Sequence, residues 1–379
     1  MPNKTAVIME FLMRVLIFGM TENPGGVESF IINYYRHLDR EKIQFDFLCN
    51  SYNPVAYENE IKKLGGRCFH IIARSVDYWK YKEELDSVFK RHASEWDAIW
   101  VNVCSLANID YLKMAKKYGL NRRIIHSHNS QNMDSKLRGL LHFLNKRGIG
   151  SLATDYWACS YNAARWFFSG DEMQKAVVIH NAIDVNLMQF NEEKRDNIRR
   201  QYDWNDKYVI GNIGRFHFQK NQSFMLDVFA NYFTRHSDSV LVLIGQGHDE
   251  EMLRAKANRL KIDKKVFFVG IQSDIQGWLS CFDLFLFPSV FEGLSVAALE
   301  AQANSVPVLA SRGVVPEDIK MNKNFVLFDL ALGDDAWSSK IDEMRLLQRE
   351  AYDIVKQNFV KKGYDIETEV GRLEDLLLR

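Results

Sequence analysis

Short runs of β-branched and aromatic residues alternate with helix-length amphipathic segments along most of the chain. This alternation is typical of α/β folds in which helices cover both faces of a parallel sheet. Met13 opens the first strand, so we expect residues 1–12 to be an extension. The strands predicted in the first half are Arg14–Gly19, Gln44–Cys49, Arg67–Ala73, Ala98–Cys104, Arg123–His128, Tyr156–Cys159 and Ala176–His180.

A polar, charge-dense stretch at residues 184–207 interrupts this rhythm before a second series of strands begins. A chain of 379 residues is long enough for two cores. We therefore predict two Rossmann-like, doubly wound domains at residues 1–185 and 207–350, a linker at 186–206, and a helical segment at 351–379. Such sheets bind ligands at their strand carboxyl ends, so a cleft is expected there. The second-series strands are Tyr208–Gly214, Val240–Gly245, Val266–Gly270, Leu284–Pro288, Val306–Ala310 and Phe325–Phe328.

Composition excludes several classes of protein. Lys and Arg together number 49, as do Asp and Glu, and this balance argues against a nucleic-acid binder. The five cysteines form no Cys-x-x-Cys pair, so neither a disulfide framework nor a zinc knuckle is expected and a reducing cytoplasm fits best. No apolar run approaches the length of a membrane span.

The stretch PSVFEGLSVAALEAQANS carries the most chemistry. Its apolar strand ends in a loop with Glu292, and Ser295 is placed to cap a helix that contains Glu300. Glu300 has the spacing to reach a ribose attached to a phosphate, and Glu292 can accept hydrogen bonds from a sugar or offset positive charge on it. The amides predicted to face that phosphate at the helix N-terminus are those of Gly293, Leu294 and Ser295. A solvated acidic helix would leave the glycine-containing opening unexplained.

Arg215 and Lys220 follow the strand Tyr208–Gly214, and two cations there can neutralise a diphosphate. Surface cations at strand ends are common, so their significance depends on the Glu292 stretch in the same half. No Asp-x-Asp occurs in the chain, so the carboxylate pair that would hold a divalent ion is missing. We expect no metal and no cofactor.

Gly25 and Gly26 open a helix after the first strand, where backbone can approach a ligand closely, although a plain turn fits equally well. Gly247 belongs to a second glycine pair that also follows a strand. That pair, Gly245-x-Gly247, lacks the third glycine and the acidic residue of a dinucleotide site, so a nicotinamide enzyme is disfavoured.

His126 and His128 lie on the same side of a strand end, followed by Asn129, and can project towards a ligand. No third ligand with suitable spacing accompanies them, which disfavours a zinc site. One packed histidine and one surface histidine would also fit the pattern.

Residues 111–150 contain nine Lys or Arg and a single acidic residue, Asp134. Leucines recur beside these cations at helical spacing, as in helices that rest on anionic membranes, although core packing explains the leucines equally well. The leucines are Leu137, Leu140, Leu141 and Leu144. The cations predicted to face a membrane or acceptor are Arg122, Arg123, Lys136, Arg138, Lys146 and Arg147.

As a set, these motifs resemble the family 4 glycosyltransferases of the GT-B type, and within them the capsular and exopolysaccharide subgroup. Glu292-x7-Glu300 resembles the family's paired-Glu motif, and Gly25-Gly26-Val27-Glu28 its first glycine-rich loop. Asn181-Ala182-Ile183-Asp184 resembles its domain junction, but the family's Pro-Asn-Gly is His180-Asn181-Ala182 here.

The resemblance implies two Rossmann-like domains facing a cleft, with the final helix crossing back to the first. It implies retaining, metal-independent transfer of a hexose or N-acetylhexosamine from a nucleotide diphosphate sugar, expected to be a UDP-sugar, to a polyprenyl-diphosphate-linked saccharide at the inner membrane face. His128, with His126 in reserve, would contact the donor sugar, and Glu292 would lie over it. Arg215, Lys220 and the loop amides would hold the diphosphate, and Glu300 the ribose. Alternatives are a non-catalytic sugar-nucleotide-binding subunit, or a sugar-phosphate synthase or epimerase with a soluble acceptor.

Overall fold

The computed structural model describes residues 12–130, 136–292, 295–314 and 319–379. These residues form two units, the first running to Ala182 and including Ile366–Arg379, the second comprising Ile183–Asp365. Residues 1–11 of the predicted extension lie outside the described residues. Both units are α/β, and each is built on one parallel sheet.

The first unit contains a seven-stranded parallel sheet in the order β3-β2-β1-β4-β5-β6-β7. Central strands of such a sheet are buried on both faces: Leu16 of the first strand packs into one core, whereas Val15 and Ile17 pack into the other. The strands are β1 Met13–Phe18, β2 Ile43–Cys49, β3 Cys68–His70, β4 Ala98–Val103, β5 Arg122–Ser127, β6 Asp155–Ala158 and β7 Val177–Val178. Helices before the junction are α1 Gly26–His37, α2 Glu58–Lys63, α3 Tyr78–His92, α4 Asp110–Lys117, α5 Lys136–Gly148, α6 Tyr161–Phe167 and α7 Gly170–Gln174.

The second unit contains a six-stranded parallel sheet in the order β10-β9-β8-β11-β12-β13. Its strands are β8 Tyr208–Ile213, β9 Ser239–Ile244, β10 Val266–Gly270, β11 Leu284–Phe287, β12 Val308–Ser311 and β13 Phe325–Phe328. The remaining helices are α8 Val185–Met188, α9 Glu192–Tyr202, α10 Gln222–Phe233, α11 Glu250–Arg259, α12 Ile275–Cys281, α13 Val296–Ala303, α14 Gly333–Met344, α15 Tyr352–Lys362 and α16 Ile366–Leu378. Every predicted strand has a counterpart, with ends that differ by a few residues.

The prediction of a linker at residues 186–206 is wrong. α9 lies within this range and packs on α12 as part of the second unit. Arg199 of α9 is buried and donates hydrogen bonds to the Cys281 carbonyl at 2.9 Å and to the Asp283 carboxylate at 2.6 Å, while Trp204 packs into the core. Lys194, Arg195 and Arg199, which are among the charges that suggest a linker in the sequence, therefore form ion pairs from a packed helix.

The predicted segment at 351–379 is also wrong as a single element. α15 belongs to the second unit, and the part of the chain that returns to the first unit is Ile366–Arg379. There α16 packs on α1, and its Glu374 carboxylate accepts a hydrogen bond from the Asp39 amide at 2.7 Å. Leu373 and Leu377 of α16 are buried in the same core as β1, so this helix completes the first unit.

Candidate active site

The loops after β8 and β11 are bonded together at the carboxyl edge of the second sheet. The Val290 amide donates to the Gln219 carbonyl at 2.8 Å, and the Gln219 side chain donates to the Phe291 carbonyl at 3.1 Å. Loops at this edge of a parallel sheet are where ligands bind. The two stretches that the sequence analysis singled out are therefore neighbours in space.

Lys220 and Glu292 form an ion pair across these loops. The Lys220 Nζ lies 2.7 Å from Glu292 Oε1, and the side chains are only 17% and 5% exposed. The same ammonium lies 5.1 Å from the centre of the Phe287 ring. The two groups hold each other in place, because moving either one away would leave the other as an unpaired and poorly solvated charge.

Arg215 lies on the same loop as Lys220 and is exposed. Its carbonyl accepts a hydrogen bond from Gln222 at 3.0 Å, whereas its guanidinium bonds to no residue in the part of the chain that the structure describes. A guanidinium that is held at its backbone and unoccupied at its tip is suited to a bidentate anionic ligand.

The contact between the loops after β8 and β9 explains why residue 247 is a glycine. An added Cβ at Gly247 would lie 2.1 Å from the Phe216 carbonyl oxygen, and one at Gly245 would lie 2.2 Å from that of Gly214. The Phe216 amide also donates to the Gln246 carbonyl at 3.0 Å. The glycine pair thus lets the loop after β9 approach the backbone that carries Arg215.

α13 begins as predicted, with Ser295 as its N-cap: the Ser295 hydroxyl accepts a hydrogen bond from the Ala298 amide at 3.4 Å. Gly293 and Leu294, predicted to contribute amides, lie outside the described residues. Glu300 faces no cation, and its carboxyl group has no hydrogen-bonding partner among the residues described. The residue is half-buried, and loss of hydration around its carboxyl group raises the pKa of Glu300 to about 7.

In the first unit, His126 and His128 do lie on the same side of β5, with ring centres 4.2 Å apart. His128 Nε2 is 2.9 Å from the Asn102 Oδ1, and the Trp100 indole donates to His126 Nδ1 at 3.3 Å. Burial lowers the pKa of His128 to about 3 and that of His126 well below its usual value. Both imidazoles are therefore neutral near pH 7. Throughout the described ranges, no group of three or more His, Cys, Asp or Glu side chains could hold a metal ion.

A cavity of about 590 Å³ opens at the carboxyl ends of β1, β2 and β4. Gly26 lines it, and neighbouring Gly25 caps α1, where an added Cβ would lie 2.8 Å from Glu28 Oε2. Its polar lining residues are Thr21, Glu22, Asn23, Glu28, Asn50, Ser51 and Asn102. The asparagines at 50 and 102 were not predicted from the sequence, although a polar residue near the end of an apolar strand was the available signal.

Asn129 does not line this cavity. Its side-chain oxygen accepts a hydrogen bond from the Ser130 amide at 2.9 Å, and its carbonyl accepts one from the Ser127 hydroxyl at 3.1 Å. These bonds shape the turn after β5. In the described structure Asn129 therefore supports the loop that follows His128.

Three of the cations predicted to face a membrane or acceptor are engaged inside the first unit. Arg122 pairs with Asp155 at 3.0 Å and bonds the last carbonyls of α16, Arg123 donates to the Leu120 carbonyl at 2.6 Å, and Lys146 bonds two carbonyls at the end of α6. That assignment is wrong for these three, because cations near helix C-termini satisfy otherwise unpaired carbonyls. Lys136, Arg138 and Arg147 are exposed on α5.

The apolar residues of α5 are also exposed. Leu137, Leu140 and Leu144 expose more than half of their surface, as does Phe143, so core packing does not explain these leucines, whereas Leu141 is half-buried. α5 thus presents an apolar surface bordered by cations. In the described part of the chain, no helix combines the length and apolar character needed to span a bilayer.

A second cavity, of about 550 Å³, lies at the amino ends of the strands of the second sheet. Arg195, Arg199 and Arg349 line it, but their guanidinium groups donate to the carbonyls that end α12. We therefore assign these arginines to helix capping.

Residues 194–362 match the family described as glycosyl transferases group 1. The putative glycosyltransferase EpsF of Bacillus subtilis (strain 168) is 30% identical over 371 residues, which is 95% of each protein. The chain belongs to this glycosyltransferase family. Another relative, the Escherichia coli UDP-Gal:alpha-D-GlcNAc-diphosphoundecaprenol alpha-1,3-galactosyltransferase, is 27% identical over 183 residues, 46% of each chain.

The fold of this glycosyltransferase is similar to that of Anabaena Alr3699/HepE, a structure solved in complex with UDP and glucose. The TM-score is 0.78 with 18% identity, and the match covers 97% of this chain and 99% of the other. This likeness confirms the predicted GT-B fold with its two Rossmann-like units.

Proposed function

We propose that this family member is a retaining, metal-independent glycosyltransferase. It transfers a hexose or N-acetylhexosamine from a UDP-sugar to a polyprenyl-diphosphate-linked capsular or exopolysaccharide unit. The observation that carries the proposal is the cluster at the edge of the second sheet, where the shielded Lys220–Glu292 pair lies on the same loops as the open guanidinium of Arg215.

The donor is proposed to bind through its diphosphate and its ribose. Arg215 and Lys220 neutralise the diphosphate, assisted by amides at the start of α13 that include Ser295. Because two cations supply this neutralisation, the reaction needs no divalent ion. Glu300 accepts hydrogen bonds from the ribose hydroxyls, and its lack of any other partner supports this role.

The transfer step is proposed to depend on charge developing at the sugar. As the bond to the diphosphate breaks, the anomeric carbon becomes positive, and Glu292 offsets that charge. The acceptor hydroxyl attacks from the same face, and the leaving phosphate takes its proton. His128 contacts the donor sugar as a neutral group, a state supported by its lowered pKa of about 3.

The choice of UDP as the nucleotide is supported by the HepE structure, which was solved in complex with UDP. The choice of a lipid-linked acceptor is supported by the E. coli relative, which is named for a diphosphoundecaprenol acceptor. We further propose that α5 rests on the anionic inner face of the plasma membrane. Its exposed apolar residues and the cations Lys136, Arg138 and Arg147 support this contact.

Calorimetric titration of the purified protein with UDP, GDP and ADP in EDTA tests the donor site. We expect one nucleotide, UDP, to bind with micromolar affinity without metal, and Glu292→Gln to abolish transfer while changing that affinity by no more than several-fold. Absence of binding by all three nucleotides would contradict the donor assignment.

Sedimentation with vesicles tests the membrane contact. We expect binding to phosphatidylglycerol vesicles at low salt, and loss of it in a Leu140→Ser, Phe143→Ser double variant. Leu346→Ser, at a leucine of the second unit that is even more exposed than Leu140 and Phe143, is the control. If the wild-type protein stays in the supernatant, a soluble acceptor is favoured.

A further inference from the structure

Asn102 occupies a fixed position in the first unit, near the carboxyl end of the central strand β4. It is almost fully buried, and its Nδ2 lies 3.4 Å from the Trp100 carbonyl oxygen. Its Oδ1 lies 2.9 Å from His128 Nε2. An added Cβ at Gly19, the residue after β1, would come within 2.8 Å of Asn102 Cβ, so the backbone there and the side chain are in close contact.

The hydrogen bonds of Asn102 determine which nitrogen of His128 carries the proton. The Trp100 carbonyl can only accept, so it orients the amide NH₂ of Asn102 towards itself and the amide oxygen towards His128. An oxygen in that place accepts a hydrogen bond from Nε2–H, so Nε2 carries the proton. A neutral imidazole has a single N–H, so Nδ1 is left as an acceptor, and it has no partner among the described residues.

We propose that Asn102 is a positioning residue that holds His128 as the neutral Nε2–H tautomer and thereby presents Nδ1 as a hydrogen-bond acceptor for a hydroxyl of the transferred sugar. Only the sugar contact rests on the proposed function. The tautomer follows from the first unit alone.

The surroundings of His128 keep this tautomer uncharged. From α1 the ring is faced by Phe30, with ring centres 4.9 Å apart, and from β4 by Asn102, neither of which titrates. The titratable group that faces it among the described residues is His126 on β5, which burial also keeps neutral. A neutral acceptor suits the reaction, because an imidazolium would place positive charge beside a sugar carbon that itself becomes positive.

The tautomer can be measured without any substrate. In protein labelled with nitrogen-15 at histidine, two-bond proton–nitrogen spectra distinguish a protonated Nε2 from a protonated Nδ1, and a His128→Gln variant assigns the signal. We expect His128 to carry its proton on Nε2 at pH 7 and to remain neutral down to about pH 4. A proton on Nδ1, or a charged ring at pH 7, would overturn the proposal.

Substitution of Asn102 tests its role. In Asn102→Asp, a carboxylate adjacent to Nε2 stabilises the charged ring, so His128 is expected to titrate between pH 5 and 8 and transfer to gain a new acid limb in its pH profile. Asn102→Leu removes the acceptor, and kcat is expected to fall about 10-fold with UDP affinity unchanged. Asn50→Asp adds a carboxylate to the same cavity without contacting His128 and should leave the His128 signal as it is.

The outcomes separate the two proposals. If Asn102→Asp leaves the titration of His128 unchanged, the positioning role is refuted. If His128 shows the expected tautomer but the wild-type protein transfers no sugar, the proposed function fails and the assignment of Asn102 stands. The wild-type spectrum decides the tautomer even if the Asn102 variants do not fold.

Discussion

Replacing Glu300 by Gln is expected to stabilise the protein in a way that depends on pH. Burial raises the pKa of Glu300 from 4.5 to about 7 without a cation to compensate it. The folded protein therefore holds this proton more tightly than the unfolded chain does. Stability falls as the pH rises from about 4.5 to about 7 and is constant above that, because both states are then ionised.

The size of the effect follows from the two pKa values. One pKa unit corresponds to about 1.4 kcal/mol, so ionising Glu300 in the folded state costs about 3.5 kcal/mol. The Glu300→Gln variant does not ionise. Between pH 5 and pH 8 it should therefore gain about 2.5 kcal/mol over the wild type, because part of the wild-type loss has already occurred at pH 5; any difference that does not depend on pH is added to this.

Urea denaturation at pH 5 and at pH 8 measures this difference. Glu251→Gln is the matched control, since that carboxylate lies exposed on α11 and remains in water in both states. The same stability difference between Glu300→Gln and wild type at both pH values would refute the argument. A carboxylate retained at this cost is expected to serve a ligand, so the variant should also bind UDP more weakly.

Three further predictions follow from the contacts. Lys220→Gln should weaken UDP binding about 10- to 100-fold but leave uridine binding nearly unchanged, since a charge-assisted hydrogen bond contributes about 1.5–3 kcal/mol; equal losses for both ligands by calorimetry would contradict the diphosphate contact. Gly247→Ala should lower the free energy of unfolding by about 1–3 kcal/mol, because the added Cβ would lie 2.1 Å from the Phe216 carbonyl oxygen. The control is Gly371→Ala on α16, where nothing lies within 4 Å of the added Cβ; it should be neutral or stabilising when both variants are unfolded in urea. Arg122→Ala should lower the thermal stability of the protein and leave vesicle binding intact, because Arg122 bonds Asp155 and the end of α16. Lys136→Ala should instead reduce vesicle binding and leave the melting temperature within about a degree or two. The reverse pattern would show that Arg122 faces the membrane.

The central strands could be predicted from the sequence because a strand buried on both faces is a continuous apolar run. The hydrophobic periodicity of a sequence does not show which partners a charged side chain contacts. α9 looked like a linker because its arginines are dense, yet Arg195 and Arg199 bond Asp283 and the end of α12. For the same reason the positive net charge of residues 111–150 predicts a membrane-facing role for Arg122. In the structure Arg122 bonds the end of α16, more than 250 positions away in the sequence.

The candidate site was predictable where a motif spans a strand end and a helix start. The loops after β8 and β11 are of this kind, and their partners Lys220 and Glu292 lie 72 positions apart in the sequence. Asn102 was missed because it is one polar residue inside an apolar strand. Its importance comes from His128, which directly follows the neighbouring strand β5, and only the strand order β4-β5 brings the two residues together.

The Lys220–Glu292 pair explains how, in the proposed reaction, one lysine can serve both the leaving group and the sugar. An ammonium has three donors, and one of them is engaged by Glu292 Oε1. We propose that the other two donors bind diphosphate oxygens, while Glu292 keeps its second oxygen for the sugar. The ion pair holds the lysine in place before any ligand arrives, so little side-chain entropy is lost on binding. In this proposal one shielded cation fixes the distance between the group that departs with negative charge and the carboxylate that offsets the positive charge left behind.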